Sequence, residues 1–383
     1  MRLTLLALYR FRNHAETSLE CSPGLNLLLG NNGEGKTNVL EGISYLCLGR
    51  SFYSAADGTV TKVGTEGFLV KGTIASDGGV EYRVETSYES ASGNKHTSIG
   101  GTQLGRRTEL IGQFPVVVLS PENSSITFGG PAERRKFLDV TLSQASRTYL
   151  DDLLEYRKAL RQRNKILFVA KQLRGLQPGL IEPWNELLAV RGARIALRRR
   201  QFVDEFRPYC SETFAALAGS DERPELSYQS SVIGESGMSL DDVVVEFQRV
   251  LAVEEREEIR TGKTLVGPHR DELELQINGL SLRQFASQGQ HKTFLVGLKL
   301  AEFSYLKDRC KETPLLLLDD VFSELDEHRC EHLLGLVGSV AQVFITATDE
   351  RLVPSSGARR RTEAKFIVRG GTVGRISQTT VDV

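Results

Sequence analysis

The chain has 383 residues, 40% hydrophobic and 25% charged, enough to bury a large core in about two or three lobes. Its 48 basic and 49 acidic residues leave a net charge of −1, which excludes a global field aimed at a polyanion, so any nucleic-acid surface must be a local patch. Five scattered cysteines without a Cys-x-x-Cys suit reduced thiols, no apolar run reaches about eighteen residues, and the opening run 3–9 reads as a strand rather than a signal peptide; the expectation is a soluble, cytoplasmic protein with no membrane partner.

Residues 2–9 and 15–21 read as paired strands around Arg10-Phe-Arg-Asn13, and Ser22-Pro-Gly24 turns the chain into the next strand. That strand runs into Gly30-Asn31-Asn32-Gly33-Glu34-Gly35-Lys36-Thr37, after which residues 37–48 carry a helical pattern. Strand, glycine loop and helix in this order are the setting in which Gly-x-x-x-x-Gly-Lys-Thr reads as a P-loop. Gly30, Gly33 and Gly35 let the backbone wrap closely, so that the loop amides, those of Asn31, Asn32 and Glu34 among them, turn toward a phosphate chain. In that reading Lys36 reaches the β- and γ-phosphates of ATP, and the Thr37 hydroxyl holds Mg²⁺. A surface turn of the same spelling is the competing reading, and the flanking strand and helix disfavour it.

Strand-like runs at 68–75, 80–87 and 95–99 follow, the first two joined through Gly78-Gly79, and predict a small antiparallel sheet. Residues 116–119 form a buried strand ending at Ser120-Pro121-Glu122. From about 143 to 217 the chain is rich in Leu, Arg, Gln and Glu at helical spacing, divided by Gln177-Pro-Gly179. This predicts an antiparallel helical hairpin whose seam is interrupted by Arg157, Asn164 and Arg191, with Pro208 ending or kinking the second helix. Residues 226–233 return to a strand and 240–260 to a helix; Asn278-Gly279 signals a hairpin between 272–277 and 280–282. A helix at 289–309, strands at 315–318 and 342–346, and a strand pair over 365–377 complete the chain. The expected partition is an α/β head from 1–122 and 264–383, with a helical arm over 123–263.

Two further stretches bear on the nucleotide. Four leucines run into Asp319-Asp320, the pattern of a Walker B strand, where Asp319 joins the Mg²⁺ shell and Asp320 poises a water as the catalytic base beside Lys36. A buried strand with a solvated acidic turn is the plainer alternative. Ser287-Gln-Gly289-Gln290 opens a helix, and free amides there favour an anion; a simple N-cap is the alternative. A chain with one P-loop and a second phosphate-seeking helix end can share nucleotides between two copies, as a symmetric ATP-dependent homodimer. Basic clusters, among them Arg134 and Arg135, Arg161 and Arg163, and Arg198, are candidates for DNA phosphates or are simply a solvated helix face. His269 and Arg270 read either as a structural turn after Gly267-Pro268 or as neighbours of the nucleotide. Six scattered histidines without Cys/His spacing offer no zinc or iron site.

P-loop, Ser-x-Gly-Gln signature, Asp-Asp strand and the downstream Ser323-Glu-Leu-Asp326 together resemble the ATP-binding-cassette heads of the SMC type. Three stretches narrow the resemblance to the bacterial RecF recombination-repair family: Asn32-Gly-Glu-Gly-Lys-Thr-Asn38 with Leu40-Glu41; Ser120-Pro-Glu122 through Gly129-Gly-Pro131 to Arg134-Arg135 and Phe137-Leu-Asp139; and Leu265-Val-Gly-Pro-His269-Arg270-Asp271. Asp320 departs from the glutamate of transporter cassettes, and no switch histidine follows 342–346; Thr346, Thr348 and Asp349 are the candidate γ-phosphate sensors.

The resemblance implies a fold of mixed and antiparallel sheets with a short arm. It also implies that the signature of one subunit caps ATP on the other, with Asp326 in the loop along the seam. It further implies a slowly hydrolysing, ATP-dependent clamp on double-stranded DNA, single-stranded DNA or gap junctions. RecO and RecR would be its partners in repair, replication restart and SOS induction. The alternative is the ATPase subunit of a membrane transporter. A long-armed SMC tether is excluded by reach, since about 30 helical residues span roughly 45 Å.

Overall fold

Along Gly67–Ala75 burial alternates with a period of two, the mark of a strand with one face on a core. That strand pairs antiparallel with Arg2–Phe11 on one side and Glu81–Glu89 on the other. His14–Glu20, Lys95–Ile99 and Thr102–Gln103 extend the pairing to a six-stranded antiparallel sheet. The sheet expected to be small is therefore as wide as its companion, because the amino-terminal strand pair joins it.

The computed structural model describes residues 1–53, 56–173, 175–218, 222–234, 237–323, 327–337, 341–353 and 363–376. Its second six-stranded sheet is mixed, in the order Thr372–Arg375, Glu363–Arg369, Leu25–Leu29, Val343–Ala347, Leu315–Asp319, Val116–Leu119. Leu25–Leu29 lies between two parallel neighbours, and Leu315–Asp319 and Val343–Ala347 are buried along their whole length. Burial on both faces is why these strands read as continuous apolar runs rather than alternating ones. Helix Lys36–Leu48 packs into a core to which strands of both sheets contribute, and Val39, Leu40, Ile43, Leu46 and Cys47 are fully buried. At Gly42 an added Cβ would fall 2.5 Å from a Leu8 methyl, so the helix approaches the antiparallel sheet at its glycine.

The chain divides into two compact units, residues 1–124, 212–221 and 288–383 in the first and 125–211 and 222–287 in the second. The second unit holds helices Pro131–Ala145, Arg147–Leu173 and Leu240–Thr261, most of Glu182–Ala218, and a three-stranded sheet. The return to the head expected at 264 thus differs from the observed boundary between 287 and 288. The reason is pairing: Glu272–Ile277 hydrogen-bonds along Pro224–Gln229, which ties it to the helical unit. Asn278 and Gly279 both have positive φ, 51° and 75°, as the predicted two-residue hairpin requires. The helical hairpin is present, but Pro208 does not end its second helix, which runs on to Ala218. The three seam interruptions are polar contacts: Arg157 pairs with Asp139 at 2.7 Å, Arg191 with Asp152 at 2.8 Å, and Asn164 Oδ1 accepts from the Thr264 amide at 2.8 Å.

Candidate nucleotide-binding site

Strand Leu25–Leu29 delivers the chain to Gly30, where an added Cβ would sit 2.4 Å from the Val368 carbonyl oxygen. Gly33 and Gly35 have φ of 83° and 109°, a region L side chains rarely adopt, so these two glycines give the loop its curl. Gly35 caps helix Lys36–Leu48 without any side-chain bond, and the first helical turn carries no acidic residue. The opening amides of that helix are thereby left to an anion. Lys36 is 7% exposed and folds over the loop, its Nζ donating to the Gly30 and Asn31 carbonyls at 2.6 and 2.9 Å. Burial lowers the Lys36 pKa, and the carboxylates of Asp320, Asp319 and Glu34 oppose that fall.

Opposite the loop, Asp319 ends strand Leu315–Asp319 at 5% exposure. The Thr37 hydroxyl donates to its Oδ1 at 2.9 Å and the Thr346 hydroxyl at 2.7 Å, while the Asp320 amide donates to Thr346 Oγ1 at 2.8 Å. Burial raises the Asp319 pKa, hydrogen bonds from Thr346 and Thr37 oppose the rise, and the charge of Asp320 adds to it. A buried carboxylate that close to a hydroxyl and a lysine is an oxygen set suited to Mg²⁺, which would relieve its desolvation. Asp320 takes φ of 51°, which turns the chain out of the strand at the point where a second carboxylate meets the cleft. The cleft holds about 220 Å³ and is lined by Asn32, Lys36, Thr37, Asp319, Asp320 and Thr346, among others. Glycine amides, lysine, hydroxyl and paired carboxylates fit a nucleoside triphosphate with its divalent cation.

Of the three candidate sensors, Thr346 lines the cleft; Thr348 is exposed, and Asp349 is committed to Arg351 at 2.5 Å, with its pKa lowered to about 2 by that hydrogen bond. Ser287 and Gly289 are exposed around the start of helix Gln288–Cys310, with Gln290 partly covered. Within the first unit, Gly289 and Gln290 do not line the cleft. Asp326 lies outside the described residues.

The basic candidates divide. Arg134 is 6% exposed and grips Glu272 through two bonds of 2.7 and 3.0 Å, with a third to the Gly129 carbonyl. Arg163 is fully buried and bonds Glu258 at 2.6 Å, Asn185 at 2.7 Å and Thr264 at 2.9 Å. Both are internal braces whose donors are spent on protein oxygens, so neither is a phosphate contact. Arg135 donates to the Asp271 carbonyl at 2.8 Å, and Arg198 pairs with Glu205 at 3.3 Å. Arg161 is exposed, as are Lys158 and Lys165 on the same helix.

His269 is braced within the second unit. Its Nδ1 accepts from the Tyr156 hydroxyl at 2.7 Å and its Nε2 donates to the Thr264 carbonyl at 3.1 Å. Burial pushes its pKa down to about 4. Arg199, 2% exposed, holds the adjacent Pro268 carbonyl at 2.7 Å and Asp139 at 2.7 Å. His269 is part of a structural turn. Sequence reasoning missed Asn13 and His14, which touch the P-loop backbone; the only signal was the Phe11-Arg-Asn-His14 turn that precedes the motif.

The RecF/RecN/SMC N terminal domain family model matches residues 2–363. The chain is similar to the DNA replication and repair protein RecF of Chloroherpeton thalassium (strain ATCC 35110 / GB-78), 40% identical over 354 residues, which cover 92% of this chain and 96% of that protein. It is also similar to the solved recombination mediator protein RecF-ATPrS in the RecFOR pathway, at 33% identity and a TM-score of 0.90 over 98% of both chains. With the RecF-ATP structure of that pathway the TM-score is 0.89 at 33% identity, over 98% of this chain and 97% of the other.

Proposed function

The chain belongs to the RecF family, and on that premise we propose that it is an ATP-dependent DNA-binding clamp that mediates recombinational repair at single-strand gaps. The family's role in DNA replication and repair, and its ATP-binding SMC-like head, come with membership. The observation that carries the finer reading is the Thr37–Asp319–Thr346 cluster facing Lys36 across one cleft.

In this reading the loop amides and Lys36 hold the triphosphate, Thr37 and Asp319 hold Mg²⁺, and Asp320 orients the attacking water. Mg²⁺ supplies charge neutralisation of the phosphate oxygens when bound. Thr346 keeps the Asp319 carboxylate aimed at the cleft and couples it to the Asp320 backbone. With one P-loop and a second phosphate-seeking helix end in the same chain, Ser287, Gly289 and Gln290 complete the site of a second copy. Two copies then close together around DNA, and slow hydrolysis releases them. RecO and RecR are the partners proposed at the gap, with SOS induction downstream. The exposed Arg161, with Lys158 and Lys165, is the remaining arm surface for backbone phosphates. No helix among the described residues is long and apolar enough to cross a membrane, and no observation favours the transporter reading.

Nucleotide and DNA titrations test this. Lys36→Ala abolishes ATP binding, and DNA affinity falls steeply with salt in wild type but less steeply in Arg161→Ala. ATP binding unchanged by Lys36→Ala, or a flat salt response, contradicts the reading.

A further inference from the structure

Two turns from different sheets grip the P-loop backbone. On one side is the turn between Arg2–Phe11 and His14–Glu20. Its Asn13 donates from Nδ2 to the Glu34 carbonyl at 2.9 Å and accepts at Oδ1 from Asn38 at 2.8 Å. Beside it His14, with no exposed surface, places Nε2 3.0 Å from the Gly35 carbonyl. On the other side, the turn between Glu363–Arg369 and Thr372–Arg375 donates the Gly371 amide to the same Glu34 carbonyl at 2.9 Å and the Gly370 amide to the Glu34 carboxylate. The two turns also touch each other: a Cβ on Gly371 would fall 2.4 Å from the Asn13 carbonyl oxygen. Thr17 bridges them, its Oγ1 lying 2.9 Å from His14 Nδ1 and 3.1 Å from the Gly371 carbonyl.

The consequence follows from peptide geometry. The carbonyl of Gly35 and the amide of Lys36 belong to one planar trans unit, as do the carbonyl of Glu34 and the amide of Gly35. Anchoring those two carbonyls on the outside aims both amides the opposite way, to the side where Gly35 and Lys36 line the cleft. A carbonyl only accepts, so Nε2 must carry a proton to hold Gly35, while Nδ1 lies against the Thr17 hydroxyl, whose one proton also faces the Gly371 carbonyl. Burial lowers the His14 pKa, hydrogen bonds with the Gly35 and Gly371 backbone oppose this, and Lys62 adds to the lowering.

We propose that His14 is a positioning residue of the nucleotide site: its Nε2–H fixes the Gly35 carbonyl and so aims the Lys36 amide that opens helix Lys36–Leu48, with the Thr17 hydroxyl holding the ring at Nδ1. This rests on the nucleotide reading above. The test measures affinity of the full chain for a fluorescent ATP analogue, with the melting temperature of the nucleotide-free protein alongside. His14→Leu is expected to weaken binding roughly five- to tenfold, the loss of one hydrogen bond to a fixed group. His14→Gln, whose amide N–H reaches toward the same carbonyl, is expected to restore most of that affinity. Wild-type affinity in His14→Leu overturns the proposal, as does a Gln variant that is folded yet as weak as Leu. Should His14→Leu melt far below wild type, Thr17→Val decides instead: a two- to fivefold loss, roughly, supports the proposal, and wild-type affinity overturns it. Lys36→Ala separates the premise. If wild type binds the analogue and Lys36→Ala does not, the nucleotide reading stands and the His14 variants judge the positioning role alone. If wild type does not bind, both fall.

Discussion

Asp319 carries a carboxylate that burial penalises, and its two threonine donors offset only part of that penalty. Such an arrangement is stable with a cation beside it. Asp319→Asn is therefore expected to lower Mg²⁺ affinity by about 10–100-fold. Titrating nucleotide with and without chelator checks this: wild type loses affinity on Mg²⁺ removal, and the variant responds little.

His269 gives a pH prediction. Its folded pKa of about 4 lies below the ordinary histidine value, so between these two pH values the unfolded chain binds a proton that the folded chain refuses. Stability from this residue is complete above about pH 6.5 and falls as pH drops toward the folded pKa. From pH 6.5 to pH 5 wild type should lose about 1.5 kcal/mol that His269→Gln does not, the slope approaching roughly 1.4 kcal/mol per unit only below about pH 6. Denaturant unfolding at the two pH values measures it, and equal losses would remove the buried-turn account. At this scale the sequence displayed the chemistry of Lys36, Thr37 and Asp319, because motif spacing encodes it. It hid His14, because what matters there is a contact to the Gly35 carbonyl, 21 positions away, that no local pattern announces.

Among elements, strand Leu25–Leu29, helix Lys36–Leu48 and strand Leu315–Asp319 were legible within a residue or two, since burial on all sides leaves an unbroken apolar run with punctuating glycines. The joining of Arg2–Phe11 to Gly67–Ala75 was not, because cross-strand pairing between distant segments leaves no local pattern. The helices of the second unit misled in one respect. Arg134 and Arg163 look like any arginine on a polar face, and only the distant Glu272 and Glu258 bury them. Removing one partner of such a pair strands the other charge. Arg163→Met should therefore cost about 3–5 kcal/mol, and adding Glu258→Met should recover a large part of it. Thermal or denaturant unfolding of the single and double variants decides; a harmless single variant would return Arg163 to the solvated face.

For the molecule as a whole, one P-loop and a second phosphate-seeking helix end in the same chain are the reason to expect a second copy. A composition with net charge near zero could not announce a DNA partner, and the patch that remains after two buried arginines are set aside is smaller than the sequence suggests. In the proposed reading DNA binding depends on bringing two such patches together, which makes closure of the dimer the central claim. Sedimentation velocity with and without ATP and Mg²⁺ tests it most directly, on wild type and on Ser287→Arg. The account predicts a monomer that becomes a dimer on nucleotide addition, and a Ser287→Arg chain that still binds ATP yet stays monomeric. A wild-type chain that remains monomeric with saturating ATP, or a Ser287→Arg chain that dimerises like wild type, contradicts it.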